Sequence, residues 1–206
     1  MRKILILSQK LITTFYRRVI VLAHPLDTMF LSSSLPSPVE IAELDESALP
    51  GYTRFRPEQD SSMIRRRMAA GDRCFILRSN GKIVHSGWVC TGTRQEPYLR
   101  CTLRLPPGDI FLYDHYTCPS CRGQGFAQAR DVHVMARYRE LGFRRSIAIV
   151  AIENKLAFRP FQALGYTAIG EFLSLWWIAG KKIHSRQWGL EPLPIIESVA
   201  SEALRS

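Results

Sequence analysis

The chain has 206 residues, 46 % of them hydrophobic and 22 % charged, and a formal net charge of +10. That length allows one good-sized core with a short appendage, and the composition excludes a disordered or low-complexity chain. No apolar run approaches the roughly 18 residues of a membrane-spanning helix, while the charge excess suits a nucleic acid, an anionic membrane surface or a phosphorylated small molecule.

The first 26 residues, MRKILILSQKLITTFYRRVIVLAHPL, are basic, and the first acid is Asp27. Gln9 and Lys10 interrupt the apolar run, which argues against a secretory signal. The segment suits contact with an anionic membrane surface; the simpler expectation is a helix and a strand packed on the domain. FLSSSLPSP (30–38) has the Ser and Pro content of a linker. The expected division is therefore a basic appendage and linker over 1–35, a domain over 36–184, and a tail over 185–206 that adds a short helix.

After the linker, PVEIAELDESALP predicts a short strand, an Asp45 cap and a helical turn. A helix over 58–70 follows, capped by Asp60 or Ser61 and ended near Gly71. It carries Arg65, Arg66 and Arg67, which span most of a turn and are expected on a solvated face. Strands over 73–79 and 82–92 flank Asn80-Gly81, a strong hairpin signal because both turn residues need positive φ. A strand over 98–105 ends at Pro106-Pro107-Gly108, and DIFLYDHYT (109–117) is an aromatic-rich strand. From Gly125 the period becomes helical, through Phe126, Ala129, Val132, His133, Ala136 and Arg137, until Gly142. RSIAIVAI (145–152) is apolar throughout, as a strand buried on both faces would be. A helix over 155–164, stopped by Gly165, and a last strand from Tyr166 complete a mixed α/β chain with a strand–loop–helix at its centre.

That centre reads HYTCPSCRGQGFAQA (115–129) and holds two competing motifs. In the first, Arg122, Gly123, Gln124, Gly125, Phe126 and Ala127 lie between a strand and a helix. Two glycines let the backbone approach a ligand, and the helix's first turn supplies unpaired N–H groups and a partial positive charge, so a pyrophosphate fits there. The second is Cys118-Pro-Ser-Cys121. One pair of cysteines, even with His115 nearby, falls short of a structural zinc site, so no metal is expected. A thioredoxin-like pair would open the helix directly, whereas here the RGQG loop intervenes. Five cysteines, an odd number, without a secretory signal point to reduced thiols and a cytoplasmic setting.

The same residues resemble the GNAT superfamily of acyl-coenzyme A-dependent N-acyltransferases, whose loop reads Arg/Gln-x-x-Gly-x-Gly/Ala. Arg122, Gly125 and Ala127 fill it, and Pro119 precedes it. A later family motif is matched by Asn154, Ala157, Gly165 and Tyr166. The resemblance covers about residues 37–184 and implies a mixed, mostly antiparallel sheet whose splayed central parallel strands are flanked by helices. It implies acetyl-CoA or another acyl-CoA as co-substrate. Main-chain groups of His115, Tyr116 and Thr117 would pair with the pantetheine arm, the loop from Arg122 to Ala127 would hold the pyrophosphate, and Asn154 and its helix would line the far side of the thioester. Where many members place a Tyr that protonates the leaving thiolate, this chain has Phe161, which cannot give a proton.

The implied activity is acyl transfer, foremost acetyl transfer, to an amine, small-molecule or peptide. An acyl carrier protein is an alternative donor that would suit the basic surface, and a non-catalytic coenzyme A-binding module is a further alternative. No nucleic-acid motif accompanies the charge, so no nucleic-acid partner is expected. A general base must free the amine, and the oxyanion needs a donor, here a backbone N–H near Tyr116 or Thr117. Asp109 and Asp114 are the candidate bases. Strict alternation would place Asp109, Phe111, Tyr113 and His115 on one side and Asp114 and Tyr116 on the other. Trp88, Tyr98, Tyr113, Trp176 and Trp177 are candidates to shape the acceptor pocket, with core packing the simpler expectation, and His85 and His133 are expected to be structural.

Overall fold

The computed structural model describes residues 16–28, 39–99, 101–176, 182–189 and 195–198. Its strands are β1 (Tyr16–Pro25), β2 (Val39–Glu43), β3 (Arg73–Ser79), β4 (Lys82–Cys90), β5 (Thr93–Glu96), β6 (Cys101–Arg104), β7 (Asp109–Thr117), β8 (Arg145–Ala151), β9 (Thr167–Trp176), β10 (Lys182–Gly189) and β11 (Ile195–Ser198). The helices are α1 (Leu49–Phe55), α2 (Ser61–Ala69), α3 (Phe126–Glu140) and α4 (Lys155–Ala163). Eight strands form one sheet in the order β10-β9-β1-β8-β7-β4-β3-β2, and β11-β6-β5 form a second, small one. Among the described residues of the large sheet, only β7 and β8 run parallel.

Local signals account for most boundaries. Asp60 caps α2 by accepting the Met63 N–H at 2.7 Å, one of the donors a helix start leaves unpaired. Asn80 and Gly81 take φ of 51° and 74°, the left-handed pair that a tight hairpin requires. The two faces of the sheet bury separate clusters. Tyr52, Ile64, Trp88, Phe111 and Tyr113 pack under α1 and α2. Ile110, Leu112, Val134, Met135 and Phe161 pack under α3 and α4.

Several expectations are corrected. Residues 16–25, counted by sequence within the 1–35 appendage though a strand packed on the domain was expected there, form a central strand. β1 lies between β8 and β9, with Val19 opposite both Ala151 and Phe172. The apolar VIVLA segment therefore satisfies its hydrogen bonds on both edges, and the domain includes it. The rest of the expected appendage and linker, 1–15 and 29–38, lies outside the described residues. The tail is not simply an appendage either: β10 pairs with β9, and β11 pairs with β6 where a helix was expected. The 93–96 strand carried no sequence signal.

The buried stripe of α3 also differs. Phe126 and Ala129 are followed inward by Arg130, Asp131, Val134, Met135 and Tyr138, not by Val132, His133, Ala136 and Arg137. A charged pair at the centre of the buried face hid the true period. Among the described residues, no helix is long and apolar enough to cross a membrane.

Candidate active site

β7 and β8 pair from Asp109↔Arg145 to Leu112↔Ala148 and no further, although both strands continue, to Thr117 and Ala151. Beyond Leu112 the facing edge of β7 has no ladder, so its main-chain groups open into a cleft. Two contiguous cavities occupy this splay. One, of about 800 Å³, runs between the sheet's faces and touches His85, Glu96, Asp114, His115, Asp131, Asn154 and Phe161. The other, of about 630 Å³, lies over the glycine loop and is lined by Tyr116, Thr117, Cys121, residues 122–128, Leu156 and Arg159.

The loop is shaped for an anion. Gly123 and Gly125 take φ of 79° and 78°, conformations that bring successive N–H groups toward one point. Gly125 is the N-cap of α3 and no side chain caps the helix. The first intrahelical bond is Ala129 N–H to Gly125 C=O, 3.0 Å, so earlier first-turn donors remain for a ligand. Arg122 and Arg159 both line this cavity.

A bulge reshapes β7 at the floor of the cleft. The register with β4 shifts between Ser86↔Tyr116 and Trp88↔Tyr113, leaving Gly87 opposite both Asp114 and His115. Asp114 has φ of 51°. The extra residue breaks the alternation expected from sequence. Tyr113 and Asp114 both turn toward α1 and α2, while His115 turns toward α3.

Asp114 accepts hydrogen bonds from Arg56 (2.9 Å), Gln59 (2.8 Å) and Arg67 (2.6 Å). Burial pushes its carboxyl up, but the hydrogen bond from Arg67 and the charge of Arg56 outweigh this and hold it below the usual carboxylate range. Arg67 thus faces inward, correcting the expected solvated face, whereas Arg65 is exposed and pairs with Glu46.

On the other face Arg130 is fully buried. Its Nη2 lies 3.3 Å from both ring nitrogens of His115, and its Nη1 lies 3.1 Å from Asp131 Oδ1. Gly87 makes room for it: a Cβ there would lie 1.5 Å from Arg130 Nη2. His85, also fully buried, bonds Thr117 Oγ1 through Nδ1 at 2.8 Å. Burial lowers both His85 and His115 well below 6.5 and raises Asp131 to about 6, with Arg130 lowering all three.

The signs of these shifts oppose one another. The two histidines contribute stability that is present above pH 6.5 and lost as pH falls through their folded values. Asp131 contributes stability present below its ordinary 3.8 and lost as pH rises through about 6. His24 and His133 are lowered as well, chiefly by burial. The histidines prevail, so the melting temperature should fall between pH 7 and pH 5. Asp131→Asn should steepen that fall. Thermal scans showing no loss on acidification would contradict this balance.

Solved structures share this architecture. A GNAT-family protein from Novosphingobium aromaticivorans aligns with a TM-score of 0.54 at 19 % identity, over 77 % of this chain and 62 % of its own. A GCN5-related N-acetyltransferase from Sphaerobacter thermophilus aligns with a TM-score of 0.54 at 15 % identity, over 90 % and 58 %. Another from Kribbella flavida gives 0.52 at 15 %, over 79 % and 60 %. The chain has the GNAT fold. It spans about three fifths of the length of these structures, and neither a family model nor a curated protein matches its sequence.

Within the GNAT fold the expected site residues separate into groups. His115, Tyr116, Thr117, Arg122, Gly123, Gln124, Gly125, Phe126 and Ala127 all line the loop cavity. Asn154 lines the larger one and caps α4 by accepting the Ala157 N–H at 3.3 Å. Phe161 is buried against His115 and Tyr166, with ring centroids 5.6 Å and 5.0 Å away. The side chain of Tyr116 packs on Phe55 and under Arg56.

Asp109 lies elsewhere. It is buried at the closed end of the β7–β8 pair, held by Arg145 through bonds of 3.0 and 2.7 Å, and lines neither cavity. Trp88 is fully buried and donates to Tyr52 Oη at 3.1 Å, so it is core. Tyr98 and Tyr113 line the cleft, while the side chain of Trp176 and all of Trp177 lie outside the described residues. His133 lies on the exposed side of α3, its ring 6.3 Å from that of Phe75.

Cys118 and Cys121 form a disulfide, contrary to the expected reduced thiols. The 3-10 turn over Pro119–Cys121 brings their Cα atoms to 5.3 Å, within disulfide reach. The thiol argument for a cytoplasmic setting loses that support. Cys74, Cys90 and Cys101 are buried and form no disulfide among the described residues. Sequence reasoning missed Glu96, Arg130, Asp131 and Arg159 because no motif marks them; tertiary packing alone brings Glu96, Asp131 and Arg159 to the cleft and buries Arg130 behind His115.

Proposed function

We propose that this protein transfers a short acyl group, foremost acetyl, from acyl-CoA to an amine. The observation that carries this reading is the open edge of β7 leading into a left-handed glycine loop at the start of a helix. A pantetheine arm hydrogen-bonds along such an edge as a further strand would, and a diphosphate takes up the loop and first-turn N–H groups. Arg122 and Arg159, which line the same cavity, add positive charge beside it.

The chain's own groups account for the rest of the reaction. The bulge at Asp114 interrupts the regular pairing beside the cleft, and an N–H near Tyr116 or Thr117 stabilises the carbonyl oxygen as negative charge develops. Asp114, tied to two arginines, holds the α1–α2 connection against the bulge. Phe161 packs but offers no proton, so the departing thiolate draws its proton from solvent. The polar wall of His85, His115 and Asp131 favours a short acyl group, because a long apolar chain would lie against polar groups it cannot pair.

Acetyl-CoA at a hundred times its dissociation constant should raise the melting temperature by about 5–10 °C. Thiol release should then depend on added amine. Absence of any thermal shift at millimolar acetyl-CoA would refute the reading.

A further inference from the structure

The larger cavity is lined by four carboxylates, Glu58, Glu96, Asp114 and Asp131; Asp131 is buried on α3 against Arg130, and the surroundings of the other three differ. Asp114 takes three hydrogen bonds from Arg56, Gln59 and Arg67. Glu58 is gripped by Arg56 and is mostly exposed, with 56 % of its side chain open to solvent. The hydrogen bond from Arg56 holds it below the usual carboxylate range. Both are committed anions and poor proton acceptors.

Glu96 stands apart. Its side chain is 16 % exposed, and the hydrogen bond it accepts among the described residues is the backbone N–H of Tyr98 at 3.3 Å. The nearest cation, Arg94 Nε, is 3.7 Å from Oε2. The Arg94 guanidinium is engaged elsewhere, lying 3.4 Å over the Tyr113 ring and 3.5 Å from Asp72. Glu96 ends β5, an edge strand of the small sheet, so the carboxylate meets the cleft from outside the strands that hold the loop.

We propose that Glu96 is the general base of the acceptor site, taking the proton of the attacking amine directly or through one water. This rests on the acyl-transfer reading above. The amine lone pair forms the C–N bond, and the C–S bond breaks with its pair passing to sulfur. The nitrogen's proton goes to Glu96 and then to solvent, while the thiolate takes one proton back from solvent. The charged groups facing Glu96 are Arg94 on its own strand, Arg67 from α2 and Asp114 from β7. Burial raises the Glu96 carboxyl, the two arginines lower it, and Asp114 raises it, leaving it above the ordinary value of 4.5. A base so placed is weak in acid and active near neutrality.

The test follows thiol release from acetyl-CoA against pH, with spermidine, phenethylamine, a lysine peptide and water alone as acceptors. Wild-type kcat/KM should fall on the acid side. Glu96→Gln should lower kcat about 100-fold or more and lose that acid limb, with the acetyl-CoA thermal shift intact. Glu58→Gln should keep the limb. An unchanged profile in Glu96→Gln overturns the base assignment alone. No thiol release by the wild type with any acceptor, despite an acetyl-CoA thermal shift, overturns the transferase reading and the base assignment with it. Failure of the wild type to bind acetyl-CoA overturns the acyl-transfer reading with it.

Discussion

Gly125→Asp should lower acetyl-CoA affinity at least a hundredfold while leaving a folded protein. Gly125 caps α3 at φ of 78°, and a Cβ there would meet nothing closer than Gln128 Oε1 at 3.9 Å. Space is therefore not the obstacle. Asp and Asn tolerate the left-handed region better than other side chains, so the backbone cost is about 1 kcal/mol. The loss comes from charge. A carboxylate about 5 Å from a diphosphate charge is repelled by roughly 3 kcal/mol at an effective dielectric of 20, about a 200-fold effect. Gly125→Asn separates the two contributions, since it adds bulk without charge and should lose about tenfold or less. Titration calorimetry with acetyl-CoA measures both. Tight binding by the Asp variant would mean that the phosphates lie away from this loop.

Gly87→Ala should destabilise the protein by about 3 kcal/mol or more, lowering the melting temperature by about 10 °C. The reason is a close approach and not backbone strain. The Arg130 guanidinium occupies the space where a Cβ would sit, 1.5 Å from Nη2, and Arg130 has no exposed route of retreat. Displacing it would also part it from Asp131 and His115, leaving a buried carboxylate uncompensated. Gly87 lies opposite the β7 bulge, so catalysis should fall along with stability. A double-mutant cycle isolates the contact: Gly87→Ala should cost much less in an Arg130→Ala background. Additive losses in denaturant melts would show that the two positions do not oppose each other.

Sequence by itself determined the elements whose causes are local. The Asn80-Gly81 hairpin, the Asp60 cap and the RGQG loop between strand and helix depend on a few adjacent residues, because dihedral preferences and capping bonds act over one turn of chain. The order of most strands and helices follows from their periodicities; the GNAT fold was implied instead by the resemblance at Arg122, Gly125, Ala127 and Asn154, and the structure has it. The glycine loop and His115–Thr117 occupy the expected cleft for the same reason.

Tertiary structure decided what depends on distant partners. Whether VIVLA is an appendage or a central strand turns on β8 and β9 leaving two edges for it to pair. The bulge arises where β4 and β7 slip by a residue at Gly87, and that slip, against the alternation within DIFLYDHYT, puts Tyr113 and Asp114 on one face and parts His115 from Tyr113. Of the acidic candidates, Asp109 went to the closed end and Asp114 to three donors. Glu96, unmarked in the sequence, reached the cleft with one weak backbone bond. A carboxylate's proton affinity is set by the charges and burial that folding places around it, and neither is written in its neighbours along the chain.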